Sequence, residues 1–263
     1  MTRRFGRWGM RTAVGLAMLA LTASVASAGS VLLWDDFSFF PPPDSFPASS
    51  ASNWPTAITS LGHSLTQITQ NNPQGDTDFL NALALNTWDL VVVQFDFDTH
   101  SVEPALANYI ANGGKVIFSN FDSTNDTDFG VTEAGSSSGV DALLHLTPLF
   151  STGLVSPLLV SDAPGYTPFW RSFTTAETVA GTFDSSTYDG TNAAIVVGNS
   201  SRTIINGFLG DTIVPPDDEI QLYRNEIGYL LPAVVPMPAS LVLVGLGAGV
   251  LAALRQRRKR TIS

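Results

Sequence analysis

Acidic residues stand where the apolar runs of this chain end. Val31-Leu32-Leu33-Trp34 runs into Asp35 and Asp36, and Leu90-Val91-Val92-Val93 is followed by Asp96 and Asp98. Carboxylates at two such exits, with Asp122, Asp126 and Asp128 in the segment DSTNDTDFG, are hard oxygen donors of the kind that hold calcium or magnesium. That segment lacks the spacing and closing glutamate of an EF-hand loop, so a solvated acidic loop is its plainer reading. Acids facing each other across a cleft with aromatic walls, such as Trp34 or Trp170, would instead do general acid–base work in a hydrolase or carbohydrate-active enzyme.

Other chemistries are closed. The chain has no cysteine, which excludes a thiol nucleophile and cysteine-bound metal and leaves the fold to be held by its core alone. His63, His100 and His145 lie far apart with no metal-binding spacing. Ser119, in IFSNF, has no glycine-flanked elbow and no nearby base, and reads as a serine closing a strand.

The elements that must position these residues follow from periodicity. Val31–Trp34, Ser64–Thr69, Leu90–Phe97 and Lys115–Phe118 predict strands, the third β-branched throughout as in a central parallel strand. Helices are predicted over 54–62, around Phe79, Leu80, Leu83 and Leu85, and over 102–111, the last stopped by Asn112-Gly113-Gly114. Strand and helix alternate with short connections, which predicts a doubly wound α/β layer with strands one and three adjacent at the switch point where such sheets bind ligands. After Asp122 the regularity fades: a polar, glycine-rich stretch, a short helix over 140–146 and a loop-rich insertion to about Thr182 are predicted. A hairpin of 193–197 and 202–205 follows, then a last helix over 219–231 capped by Asp217 and Asp218.

The phrases LANYIANGGKVIFSN, SRTIINGFLGD and LYRNEIGYLL together resemble the class I glutamine amidotransferase-like superfamily, whose flavodoxin-like layout is shared with ThuA-like proteins. The resemblance implies an α/β, flavodoxin-like, mainly parallel sheet over most of 31–231. It carries over no catalytic residue, because the superfamily's cysteine and its late histidine have no counterpart here. The endings LLWDD and VVVQFDFD also resemble phosphoacceptor receiver domains, whose acids hold magnesium, but no lysine follows a later strand.

The two ends read as addresses. Arginines up to Arg11, an apolar run from about Ala13 to Leu21 and Ala26-Ser27-Ala28 have the three parts of a secretory leader, with removal expected after Ala28. At the other end, the uninterrupted apolar stretch 239–254 would span about 24 Å as a helix against a hydrocarbon core of about 30 Å, a short but usable transmembrane helix. The cations Arg255, Arg257, Arg258, Lys259 and Arg260 would hold its end in the cytoplasm. The order Val235-Pro236-Met237-Pro238, glycine-rich apolar helix and arginine-rich terminus resembles the PEP-CTERM sorting signal of Gram-negative bacteria, with Met237 where the motif carries glutamate. That resemblance implies an exosortase-type partner in the inner membrane, cleavage near the Pro-x-Pro and delivery to the cell surface or extracellular matrix.

The expected organisation is a leader (1–28), one extracytoplasmic α/β domain (29–231) and a sorting tail (232–263). The domain carries 23 acidic residues against Lys115, Arg171, Arg202 and Arg224, a net charge of −19, which excludes nucleic acid as a partner. With no recognisable nucleophile, the expectation is a non-catalytic surface or matrix protein that binds a ligand, an extracellular polysaccharide or a cation. The alternative is an extracellular hydrolase using carboxylates at the sheet edge.

Overall fold

The computed structural model describes residues 28–35, 53–69, 75–95, 101–120, 126–138, 140–161, 169–209 and 212–233. They belong to one compact unit, Ala28–Ala233. The leader and the whole 234–263 tail, with its apolar stretch and sorting motif, lie outside the described residues. Among the described residues no helix is long and apolar enough to cross a membrane.

The first half alternates as expected: β1 (Ser30–Asp35), α1 (Trp54–Ser60), β2 (Ser64–Thr69), α2 (Gly75–Ala84), β3 (Leu90–Phe95), α3 (Glu103–Ala111) and β4 (Val116–Asn120). Gly113 ends α3 at φ +96°, a left-handed conformation that costs glycine nothing, and its N–H closes on the Ile110 carbonyl at 2.9 Å. A 3-10 turn (Asp126–Phe129) then leads to β5 (Val131–Ser138), β6 (Ala142–Leu146), β7 (Leu158–Val160), β8 (Phe169–Thr175), β9 (Thr178–Phe183) and β10 (Ala193–Gly198). The chain continues with β11 (Thr203–Asn206), β12 (Ile213–Val214) and α4 (Pro216–Leu230).

Five strands run parallel in the order β2-β1-β3-β4-β11, the flavodoxin-like order with its switch point between β1 and β3. Both faces of this layer are covered. Val31, Leu33, Val92 and Ile204 pack with Trp54 of α1 and Leu222 and Ile227 of α4. On the other face Leu32, Trp34, Val91 and Phe118 pack with Phe79 of α2 and Leu106 of α3. Burial on both sides is why β1, β3, β4 and β11 read as unbroken apolar runs, whereas the exposed edge strand β2 mixes polar and apolar residues.

The segment after Asp122 departs from expectation. In place of a short helix and a loop-rich insertion, β6, β7, β9 and β10 form antiparallel strands that extend the same sheet in the order β12-β7-β6-β9-β10-β11, and β5 and β8 branch from it, β8 pairing with both β10 and β5. Residues 142–146 are a strand, since Ala142 and Leu144 are buried while Leu143 between them is exposed, and β6 pairs with both β7 and β9. A short apolar run fits helix and strand periods equally, and partners distant in sequence decided it. The last helix starts at Pro216, not Glu219; Asp217, Asp218 and Glu219 occupy its first turn, where negative charge suits the helix dipole, and no side chain caps it.

Gly207 marks where β11 meets the antiparallel extension. A Cβ there would fall 2.0 Å from the Arg171 carbonyl oxygen and 2.9 Å from the Phe173 ring, and the Arg171 N–H donates to the Gly207 carbonyl at 2.6 Å. Gly207→Ala is therefore expected to cost about 3 kcal/mol, because backbone rather than a pliable side chain must move. A urea unfolding curve with an unchanged slope and a lower midpoint would record it.

Candidate active site

The four inner parallel strands turn from apolar to polar at the same level. The register pairs Thr69 with Asp35, Asp35 with Gln94, Gln94 with Ser119 and Ser119 with Asn206, so one polar row crosses β2, β1, β3, β4 and β11 at their carboxyl ends. These positions share the sheet face of Leu33 and Val92, two residues earlier in their strands, because side chains alternate along a strand. That face is the one covered by α1 and α4. Asp35, Gln94, Ser119 and Asn206 are all buried, as are Glu219 and Glu226.

The switch point holds the denser half. The Gln94 carbonyl oxygen accepts from the Trp54 indole at 2.6 Å and from the Tyr223 hydroxyl at 3.1 Å, while Trp54 and Tyr223 stack with centroids 3.6 Å apart. Two donors on one oxygen fix the amide's orientation and leave its NH2 group, Nε2, buried without a partner. Glu219 accepts from Asn53 at 2.9 Å through one oxygen, and its other oxygen is buried and unpartnered. Burial pushes Glu219 up to about 7, the hydrogen bond from Asn53 and the Tyr223 hydroxyl, whose one proton is shared with Gln94, restrain the rise, and the nearby Asp35 carboxylate adds to it. A carboxyl with that pKa is both acid and base near neutrality.

The other half lies under α4, one helical repeat further on. Asn206 donates to Ser119 Oγ at 3.1 Å and to Glu226 at 3.2 Å. Glu226 is fully buried, and burial pushes it up to about 8 against the pull of that single hydrogen bond, so it is protonated at neutral pH. Ser119 keeps the structural role expected of it, as a hydrogen-bonded strand-end serine.

The predicted carboxylates are distributed differently. Asp35 belongs to the row. Asp36, Asp96, Asp98 and Asp122 lie outside the described residues. Asp126 is engaged by Arg171 of β8 in a two-pronged pair at 3.0 and 3.1 Å, with Glu133 at 3.4 Å from the same guanidinium, and Asp128 sits in the adjoining 3-10 turn. Among the described residues no three acidic or histidine side chains are grouped to hold a metal. The aromatic walls proposed from sequence are elsewhere: Trp34 stacks on Phe79 under the opposite face at 4.5 Å, and Trp170 packs on Phe183 at 4.8 Å. Trp54 and Tyr223 flank the acids instead. Sequence reasoning passed over Gln94, Asn206, Glu219, Tyr223 and Glu226, although the first polar residue after each β-branched run was a signal for the first two.

No family model matches the chain, and no curated protein matches it. Solved structures do. One, described as a GMP synthase subunit from Thermoplasma acidophilum, is 11% identical over 78% of this chain and 94% of that one, with a TM-score of 0.45. The glutaminase domain of Trypanosoma brucei CTPS, with bound acivicin, is 12% identical over 80% and 97% (TM-score 0.44). PurLQS from Thermotoga maritima is 9% identical over 78% and 100% (TM-score 0.43). At these identities the likeness is one of fold. These neighbours are named as a GMP synthase subunit, a CTPS glutaminase domain and PurLQS, and none of them supports the expectation of a non-catalytic surface protein.

Proposed function

We propose that this chain is an exported hydrolase whose acid–base pair is Asp35 and Glu219 at the switch point of a flavodoxin-like sheet. The observation that carries the reading is the buried end of the polar row: Asp35 lies in it out of solvent, and Glu219 is buried close enough to feel its charge, beside the stacked Trp54 and Tyr223. Asp35 takes a proton from a water molecule as it attacks. Glu219, protonated, gives its proton to the departing oxygen, and the Gln94 amide supplies a donor for the oxygen on which charge develops. The arginine-bearing leader, the apolar stretch 239–254 and the terminal cations support export, with an exosortase-type enzyme acting at Val235–Pro238 and the cell surface or matrix as destination. Gly29 lies against Leu231 at the amino edge of the sheet, opposite the polar row.

The test is turnover of a panel of chromogenic glycosides and esters by the purified chain. Asp35→Asn and Glu219→Gln are each expected to lower turnover about 100-fold, with the wild type showing a bell-shaped pH profile. Absence of turnover across the panel, or wild-type rates in Glu219→Gln, contradicts the reading.

A further inference from the structure

The amino edge of the sheet carries a second polar constellation, far from the row. Ala28 is exposed, and Gly29 beside it is buried. The Gly29 N–H donates to His63 Nδ1 at 3.2 Å, and its carbonyl accepts from the Ser64 N–H at 3.0 Å and hydroxyl at 3.2 Å. The next residue, Ser30, donates its N–H and its hydroxyl to Asp89 at 2.8 and 3.0 Å. A Cβ on Gly29 would lie 3.0 Å from Leu231 Cδ1, 3.3 Å from His63 Nδ1 and 3.6 Å from the Asp89 Cβ. The position thus leaves room for little beyond the backbone, with an imidazole nitrogen on the Gly29 N–H and the Asp89 carboxylate on the next residue. The change from exposed to buried falls at the bond where the leader is expected to be cut.

We infer that this constellation is a receptor for the chain's own processed terminus: the Gly29 ammonium, held by His63 Nδ1 and the Asp89 carboxylate. Leader removal adds water across the Ala28–Gly29 peptide bond, through a leader-removing peptidase, leaving the Ala28 carboxylate on the leader and an ammonium on Gly29. Three N–H donors and a positive charge then occupy a place where the uncut chain offers one neutral donor. The surroundings suit this cation. Burial holds His63 below the usual imidazole range, so its Nδ1 stays an acceptor at neutral pH, against the opposing effects of the Leu231 backbone and Asp89. The other titratable groups at this edge are Tyr109 of α3, whose hydroxyl donates to the Trp88 carbonyl at 2.9 Å, and Lys115 before β4, which donates to the Leu230 carbonyl at 2.8 Å. Because the nitrogen of the cut bond is buried once the domain folds, the peptidase must act first, and folding then shields the new terminus.

The inference rests on the export reading above, and its test separates the two. The full chain, purified after expression with its leader in a Gram-negative host, is weighed to locate its terminus. It is then acylated at pH 7 with an amine-reactive succinimidyl ester, and labelling of the α-amine is followed. A terminus at Gly29 labelled at least about tenfold more slowly in the folded wild type than in Asp89→Asn, or than in the wild type in urea, is the expected result, since one pKa unit of ion-pair stabilisation is a factor of ten. The urea comparison decides the matter if Asp89→Asn fails to fold. A Gly29 terminus labelled as fast folded as unfolded overturns the receptor and leaves export standing. A retained leader overturns both, and a terminus elsewhere overturns the receptor.

Discussion

Replacing Glu226 with glutamine is expected to raise the thermal midpoint at pH 8 by about 10 °C relative to the wild type, with only a small difference at pH 5. The reason is proton linkage. Folding lifts Glu226 to about 8 from a carboxyl's ordinary 4.5, because α4 buries it completely and the hydrogen bond from Asn206 only partly opposes the loss of solvation. Between those values the folded chain binds a proton that the unfolded chain has released, so stability is fully present below about 4.5 and is lost as pH rises through about 8. The slope is about 1.4 kcal/mol per pH unit for one such group. Glu219, lifted to about 7, adds the same slope over a narrower window. Glutamine keeps the acceptor that Asn206 needs and cannot ionise, so calorimetric scans of the variant from pH 5 to 8 should show a shallower decline. Coincident wild-type and variant profiles would mean that Glu226 reaches water.

The second large effect is at Arg171. Its side chain is 2% exposed, and its guanidinium meets Asp126 through two hydrogen bonds and Glu133 through one, with its carbon 5.2 Å over the Phe173 ring. Arg171→Leu leaves the largely buried Asp126 carboxylate without its countercharge, at a cost of about 3 to 5 kcal/mol. The matched double variant, Arg171→Leu with Asp126→Asn, removes both charges and should recover part of that loss. A denaturant double-mutant cycle measures the coupling. Recovery would separate the charge pair from mere loss of packing around a long side chain.

These two sites show where sequence reading reached and where it stopped. β1, β3 and β4 and their helices were legible because each is buried along a whole face, and periodicity reports burial directly; β2, at the exposed edge, was legible only from its alternation. The switch-point position of Asp35 followed from the expected adjacency of β1 and β3. The antiparallel extension was not legible: β6 owes its strand character to pairing with β7 and β9, partners that local pattern does not name. Arg171 reads as one of four scattered cations, and only the fold brings it to Asp126, 45 residues away. The site was half visible for a similar reason. Acidic strand ends announce themselves, whereas Gln94 and Asn206 are ordinary amides until register sets them in one row. Glu219 and Glu226, which read as surface charges on an acidic helix, are turned inward because they share a face with Leu222 and Tyr223. Composition argued against catalysis by counting missing nucleophiles, and it could not weigh carboxyls whose acidity is changed by burial.

The claim on which the functional account stands is that the switch point holds a carboxyl able to give and take a proton near neutrality. Carbon-13 NMR of glutamate side chains, with Glu219 assigned by loss of its signal in Glu219→Gln, measures this directly. The expected result is a Glu219 midpoint near 7 that falls in Asp35→Asn, where the opposing charge is gone. A midpoint near 4.5, unmoved by Asp35→Asn, would contradict the account.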